Sequence, residues 1–199
     1  ALLEKVYAVL NSGQPARTID LNIEEIQSLN DLSLITLKPM IYVANVDENE
    51  LQITNDELRD ALGLPSEEVV VAISVKTEAE LVSLNEEEQK EYLQSLGLEE
   101  SGLDRIARIG YATLGLINYF TTGEMETRAW TIRKGTKAPE AAGEIHTDFT
   151  KNFIRLEVVS YEDFEAAGTW NKSKDNGKMR LEGKDYEVKD GDVVIVRHS

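Results

Sequence analysis

Two short polar segments carry the residues best suited to chemistry in this 199-residue chain. Asn45-Val46-Asp47-Glu48 closes the apolar run Met40-Ile41-Tyr42-Val43-Ala44, and Ser74-Val75-Lys76 closes the run Val69-Val70-Val71-Ala72-Ile73. A carboxylate only accepts hydrogen bonds and suits a ligand edge with neighbouring N–H donors, whereas a carboxamide both donates and accepts. Each apolar run is short and continuous, as in a strand buried in a parallel sheet. Ligands of open α/β sheets bind at the carboxyl ends of such strands, where both polar segments fall. Taken alone, Asn45–Glu48 is more simply an acidic loop after a strand; the second loop reverses that preference.

The elements around these segments follow from pattern and punctuation. Asn55 to Leu62 reads as a helix closed by Gly63, with Pro65 following. Strand, helix and strand within this distance form a βαβ unit, hence parallel pairing. Upstream, residues 1–12 read as an amphipathic helix stopped by Asn11-Ser12-Gly13-Gln14-Pro15. It starts without a cap signal, as a piece of a longer chain would. A second helix is expected over about Asn22 to Leu29, before Lys38-Pro39 breaks the pattern. Downstream, Glu78–Leu84, Glu86–Leu96, Leu103–Ile109 and Ala112–Tyr119 read as helices.

The texture changes near Thr121-Thr122-Gly123. Strands are expected over Ala129–Arg133, Phe153–Val158, Met179–Leu181, Tyr186–Val188 and Val193–Val196, with an Asp190-Gly191 turn before the last. Short helices are expected over Ala138–Glu144, starting at Pro139, and over Tyr161–Ala167. The fold class is therefore α/β followed by a small α+β domain, with no internal repeat.

G proteins place an N-K-x-D motif at the first of these strand ends and an S-A-K loop at the second. The Asp of N-K-x-D accepts from the guanine N1–H and exocyclic amine. Here the fourth residue is Glu48, one methylene longer, and Val46 replaces the Lys. Guanine reading is thereby weakened, and adenine can compete through backbone groups. A phosphate-cradling G-x-x-x-x-G-K-[ST] is absent: Gly177-Lys178 is followed by Met179, and Gly183-Lys184 by Asp185. Asp60-Ala61-Leu62-Gly63 spells a D-x-x-G switch, but a capped helix end explains it.

Composition narrows the remaining classes. The chain has no cysteine, which excludes disulfides and thiolate metal sites. His146 and His198 cannot build a zinc site unaided, so no metal site and no catalytic residue are assigned. No apolar stretch is long enough for a membrane span. Residues 1–114 hold 8 Lys and Arg against 22 Asp and Glu, a balance of −14, while residues 115–199 hold 13 against 15, a balance of −2. The acidic front repels a nucleic-acid backbone, so any RNA contact belongs to the back. Lys134, Lys137, Lys172, Lys174 and Lys178, near Trp130 and Trp170, are the candidate contacts, with ordinary mixed surface charge as the plain alternative.

Several segments resemble one family, that of YchF and the eukaryotic Obg-like ATPases. Lys38–Glu48 is similar to its N-x-x-E base loop, and Ser74–Leu81 to the segment after its next strand. Ala129–Pro139 and Gly143–Phe149 resemble its TGS signature; Leu181–Tyr186 and Asp190–Asp192 resemble the closing hairpin. The resemblance implies a Ras-like P-loop nucleotide domain, represented here only in part, with a helical insertion returning into it and a β-grasp (ubiquitin-like) TGS domain behind. It places 1–37 in the insertion, 38–114 in the nucleotide domain and 115–199 in the TGS domain.

By the same resemblance Asn45, Val46 and Glu48 contact the base and Ser74, Val75 and Lys76 back it. It also implies ATP or GTP hydrolysis with magnesium by a parent protein, ribosome or RNA binding through the TGS domain, and a cytoplasmic home. With the P-loop residues missing, this chain alone is expected to be inactive and to hold no nucleotide tightly. A non-catalytic TGS module docking on ribosome, RNA or protein is the alternative reading. A regulatory TGS domain of a synthetase or alarmone enzyme fits worse, because such proteins lack the paired base loops.

Overall fold

The computed structural model describes residues 1–123 and 126–199, which divide into two compact units, Ala1–Gly110 and Tyr111–Ser199. In the first unit, helix α1 (Leu2–Asn11) turns Val6 inward against Ala16 and Leu29, the latter on helix α2 (Ile23–Leu29). A capping box opens α2: Asn22 Oδ1 accepts from the Glu25 N–H at 2.9 Å, and Glu25 accepts from the Asn22 N–H at 3.0 Å. Arg17 ties this region to the sheet through a largely buried ion pair with Glu68 at 2.9 Å.

Strand β1 (Ile41–Asn45) runs parallel to β2 (Val69–Ile73), joined through helix α3 (Asn55–Leu62). This is the expected βαβ unit. Leu58 of α3 packs on Val70 and Ala72, burying one face of the pair. Helix α4 (Val75–Val82) begins three residues earlier than its apolar pattern suggests, because Ser74 caps it. Helices α5 (Glu86–Ser95) and α6 (Gly102–Thr113) follow. The Glu78 carboxylate caps α6, accepting from the Gly102 N–H at 2.7 Å and the Leu103 N–H at 3.3 Å. Gly102 permits this approach, since a Cβ there would lie 2.8 Å from Ile73 Cγ2.

The helix expected over Ala112–Tyr119 is a correction. Helix α6 stops at Thr113, and strand β3 runs from Leu116 to Thr122. Gly115, at φ +63°, makes the break in a left-handed conformation that side-chain-bearing residues avoid. The segment Tyr186–Val188 is likewise no strand but an isolated bridge, Glu187 to Lys137.

In the second unit β3 pairs with β4 (Thr127–Arg133) as a hairpin. Helices α7 (Ala138–Ile145) and α8 (Thr147–Lys151), strand β5 (Phe153–Ser160), helices α9 (Tyr161–Ala167) and α10 (Trp170–Asp175), and strands β6 (Arg180–Glu182) and β7 (Asp192–His198) complete it. The strand order is β4-β3-β7-β5-β6, with β3 and β7 parallel and the other pairs antiparallel. Small residues Ala138, Ala141 and Ala142 let α7 approach Tyr119, Ile132, Leu156, Val158 and Val194 of the sheet. Burial pushes the Tyr119 phenol pKa up, keeping it a neutral donor to the Ala141 carbonyl at 2.6 Å.

One buried charge sits on the opposite face of this sheet. Glu157, 8% exposed, accepts both ends of the Arg197 guanidinium at 2.9 and 3.0 Å. That hydrogen-bonded fork holds its pKa below the usual carboxylate value, and the charges of Arg197, Arg155 and Lys174 act in the same direction. A depressed folded pKa gives stability that is present above the unfolded carboxylate pKa and lost as pH falls through the folded one. The second unit should therefore lose denaturant resistance below the ordinary carboxylate range. Glu157→Gln should flatten that loss, read as the urea midpoint of tryptophan fluorescence against pH. An unaltered slope in the variant would assign the acid sensitivity elsewhere.

Candidate functional site

Parallel register sets Asn45 opposite Ile73, so the loops after β1 and β2 leave the sheet side by side. The Val46 N–H extends the ladder to the Ile73 carbonyl at 2.8 Å. Asn45 then bridges the loops: its Oδ1 accepts the Val75 N–H at 3.1 Å. Buried Ser74 turns its hydroxyl to the Thr77 N–H at 3.4 Å, fixing the start of α4. After Asp47 the chain enters a 3-10 turn, Glu48–Glu50, and Glu50 accepts the Asp47 N–H at 3.4 Å.

All six residues singled out in these loops come together. Asn45, Val46, Glu48, Ser74 and Lys76 line one cleft of about 300 Å³, and Val75 is joined to Asn45 at its edge. Lys76 spans it, with Nζ 3.8 Å from Glu48 and 4.0 Å from Glu80. Glu80 in turn accepts the Tyr92 hydroxyl at 2.5 Å. That hydrogen bond, ahead of burial, pushes the Tyr92 pKa up to about 12. Pattern reading missed Glu80 and Tyr92, because both look like ordinary polar positions on acidic helices.

The cleft's donors and acceptors fit a purine edge. With its carbonyl oxygen spent on Val75, the Asn45 amide group retains two N–H donors, which suit a ring nitrogen such as N7. Glu48 supplies an acceptor for an exocyclic amine, partly balanced by the Lys76 ammonium. Among the described residues no group of three or more His, Asp or Glu could hold a metal ion. His146 instead caps α8, its Nδ1 accepting the Asp148 N–H at 3.3 Å, while His198 stacks on Phe149 with ring centroids 4.4 Å apart.

The five lysines of the second unit separate by environment. Lys137 pairs with Asp185 at 3.3 Å and Lys178 with Asp163 at 3.0 Å. Lys134, Lys172 and Lys174 are exposed, the last two on α10. Arg128 lies over the Trp130 ring, 4.2 Å from its centroid. Among the described residues no helix is long and apolar enough to cross a membrane.

Fold and site together define a mixed α/β protein whose polar cleft is built from two adjacent strand-end loops. The family model YchF-GTPase_C, described as a protein of unknown function (DUF933), matches residues 116–199. The chain is 46% identical over 199 residues to a ribosome-binding ATPase YchF of Haemophilus influenzae, covering 99% of this chain and 54% of that protein. It is 41% identical over 197 residues to an Obg-like ATPase 1 of Pongo abelii, covering 95% and 49%. The solved Schizosaccharomyces pombe YchF GTPase superposes with a TM-score of 0.85 at 40% identity, covering 98% of this chain and 53% of that one. Over nearly its whole length the chain is therefore similar to part of the YchF and Obg-like ATPases. It spans about half the length of the curated relatives it matches.

Proposed function

We propose that this chain is the base-reading and ribosome-contacting part of a cytoplasmic ATP- or GTP-hydrolysing protein. In this reading residues 38–114 are the latter part of a Ras-like nucleotide domain, 1–37 belong to its helical insertion, and 115–199 form a β-grasp TGS domain. The observation that carries it is the Asn45–Val75 hydrogen bond, which couples the two loops over one cleft. Asn45 then orients the loops and donates to the base, Glu48 meets its amine, and Val46, Ser74, Val75 and Lys76 shape the walls. Relatives named ribosome-binding ATPases support the partner and the nucleotide class. When bound, magnesium and triphosphate would supply the charge chemistry; the residues here hold and orient the purine.

Phosphoryl transfer needs groups that stabilise charge on the transferring phosphate; the one lysine of the two loops, Lys76, is turned to Glu48 and Glu80, and the sequence carries no phosphate-cradling G-x-x-x-x-G-K-[ST]. The chain alone should therefore release no phosphate from ATP or GTP with magnesium. An isotope-labelled sample titrated with AMP or GMP should still shift the amide signals of Asn45, Val46 and Val75, with millimolar affinity. Magnesium-dependent phosphate release that Asn45→Ala abolishes would sink the first expectation. Unmoved loop signals at saturating nucleotide would sink the second.

A further inference from the structure

The sheet of the second unit presents a cationic face on the side away from α7. Side chains alternate along a strand, so Arg155, Glu157 and Val159 of β5 point opposite to Leu156 and Val158 of the core. On β7 the same face carries Val193, Ile195 and Arg197. Helix α9 lies against β5 and β7, and Val159 and Val193 are buried. Arg155, Arg197 and Leu181 remain exposed.

Arg155 lies directly opposite Arg197 in the antiparallel ladder. Like charges in that position destabilise a sheet, so folding stability alone does not account for the pair. Arg197 reaches diagonally to Glu157 and is neutralised there. Arg155 makes no ion pair with any carboxylate among the described residues, yet its charge bears on Glu157, as does that of Lys174 on α10. Three cations thus surround one largely buried carboxylate, leaving a local surplus of positive charge within an otherwise acidic chain.

We propose that this face, centred on Arg155 with Arg197 and Lys174 beside it, grips the phosphate backbone of RNA. The inference rests on the ribosome-contacting reading of the second unit and gives that reading a surface. Guanidinium groups match phosphate oxygens in a two-pronged geometry and keep their charge at any working pH. Arg155 and Arg197 stand opposite each other on adjacent strands, and Lys174 of α10 acts on the same carboxylate, so a chain with a charge at every unit can meet more than one of them. Exposed Leu181, in register with Glu157 on β6, adds apolar surface beside them. Alternation also explains why the sequence hid this face: Arg155 and Arg197 are far apart in sequence and each sits singly among aliphatic residues.

Arg155 is the clean position to test. Arg197→Ala would strand Glu157 without its partner and threaten the fold, whereas Arg155 is exposed and has no ion-pair partner among the described residues. The probe is a fluorescein-labelled, mixed-sequence single-stranded RNA oligonucleotide, with anisotropy followed against the whole chain over a salt series. Wild type should bind with a steep salt dependence. Arg155→Ala should reduce the slope of log K against log salt by about 0.7, the release from one single-strand phosphate contact. Arg155→Lys should restore it.

A wild-type chain that binds neither the oligonucleotide nor purified ribosomes would remove the ribosome reading and this surface together. Binding with an Arg155→Ala slope equal to wild type would leave the reading in place and overturn the surface. Displacement of RNA by polyglutamate at equal charge concentration would also overturn it, assigning the face to acidic protein instead.

Discussion

Asp192→Ala should destabilise the second unit by about 3 kcal/mol, close to a hundredfold in its folding equilibrium. Asp192 is 2% exposed at the start of β7, and its carboxylate accepts three donors. These are the Tyr186 hydroxyl at 2.7 Å, the Lys189 N–H at 2.9 Å and Arg180 Nη2 at 3.4 Å. Removing the carboxylate leaves part-buried donors, the Tyr186 hydroxyl and the Lys189 N–H, unmatched, which costs more than the lost bonds contribute. Burial, and next the bond to Asp192, push the Tyr186 pKa up, so the phenol remains a donor. Asp192→Asn should cost less than Ala, because its one oxygen can still meet Tyr186 and Lys189. The chain has two tryptophans, Trp130 and Trp170, both in the second unit. A urea titration of their fluorescence therefore isolates the effect. A midpoint shared by wild type and Asp192→Ala would show that the turn before β7 is held by its backbone and not by this carboxylate.

The paired strand-end loops were legible because both signals are local. Each apolar run sits next to its polar loop, and Gly63 and Pro65 punctuate the helix between them. Parallel pairing then forces the loop starts into register, as Asn45 opposite Ile73 demonstrates. Strand β3 was not legible. Leu116, Ile117 and Tyr119 satisfy a helical spacing following α6, and only Gly115 marks the reversal. The relay from Tyr92 through Glu80 to Lys76 was equally hidden. It depends on how α5 folds back on α4, which no local spacing encodes.

Charge was legible only as a total. The balances of −14 and −2 point to the second unit for a polyanion, but selecting lysines from sequence clusters does not see pairing. Lys137 and Lys178 each have a carboxylate at hand, in exposed, solvent-screened pairs that contribute little. Arg155, isolated in the sequence, makes no such pair among the described residues. A surface charge gains its partners from three-dimensional neighbours, so the sequence sets how much charge there is and the fold decides which of it stays available.

Glu48→Asp should move base preference toward guanine, by roughly tenfold to a hundredfold in the ATP/GTP affinity ratio at most. One good two-pronged base contact discriminates by about 1–3 kcal/mol, which sets that ceiling. Under the proposed function the test belongs in a protein spanning the full length of the relatives, where phosphate contacts would add the affinity that makes both nucleotides measurable. Shortening the side chain by one methylene withdraws the carboxylate toward the position that accepts both guanine donors. It also draws the carboxylate away from Lys76, whose ammonium now stands 3.8 Å off and offsets the repulsion between Glu48 and the adenine ring nitrogen. Both changes act against adenine. The switch should stay partial, because Val46 occupies the place of the lysine whose stem packs on the base in N-K-x-D loops. Titrating ATP and GTP against wild type and variant decides the matter. An unchanged ratio in a well-folded variant would mean that the Glu48 carboxylate does not read the base, leaving that role to the backbone groups around Val46 and Val75.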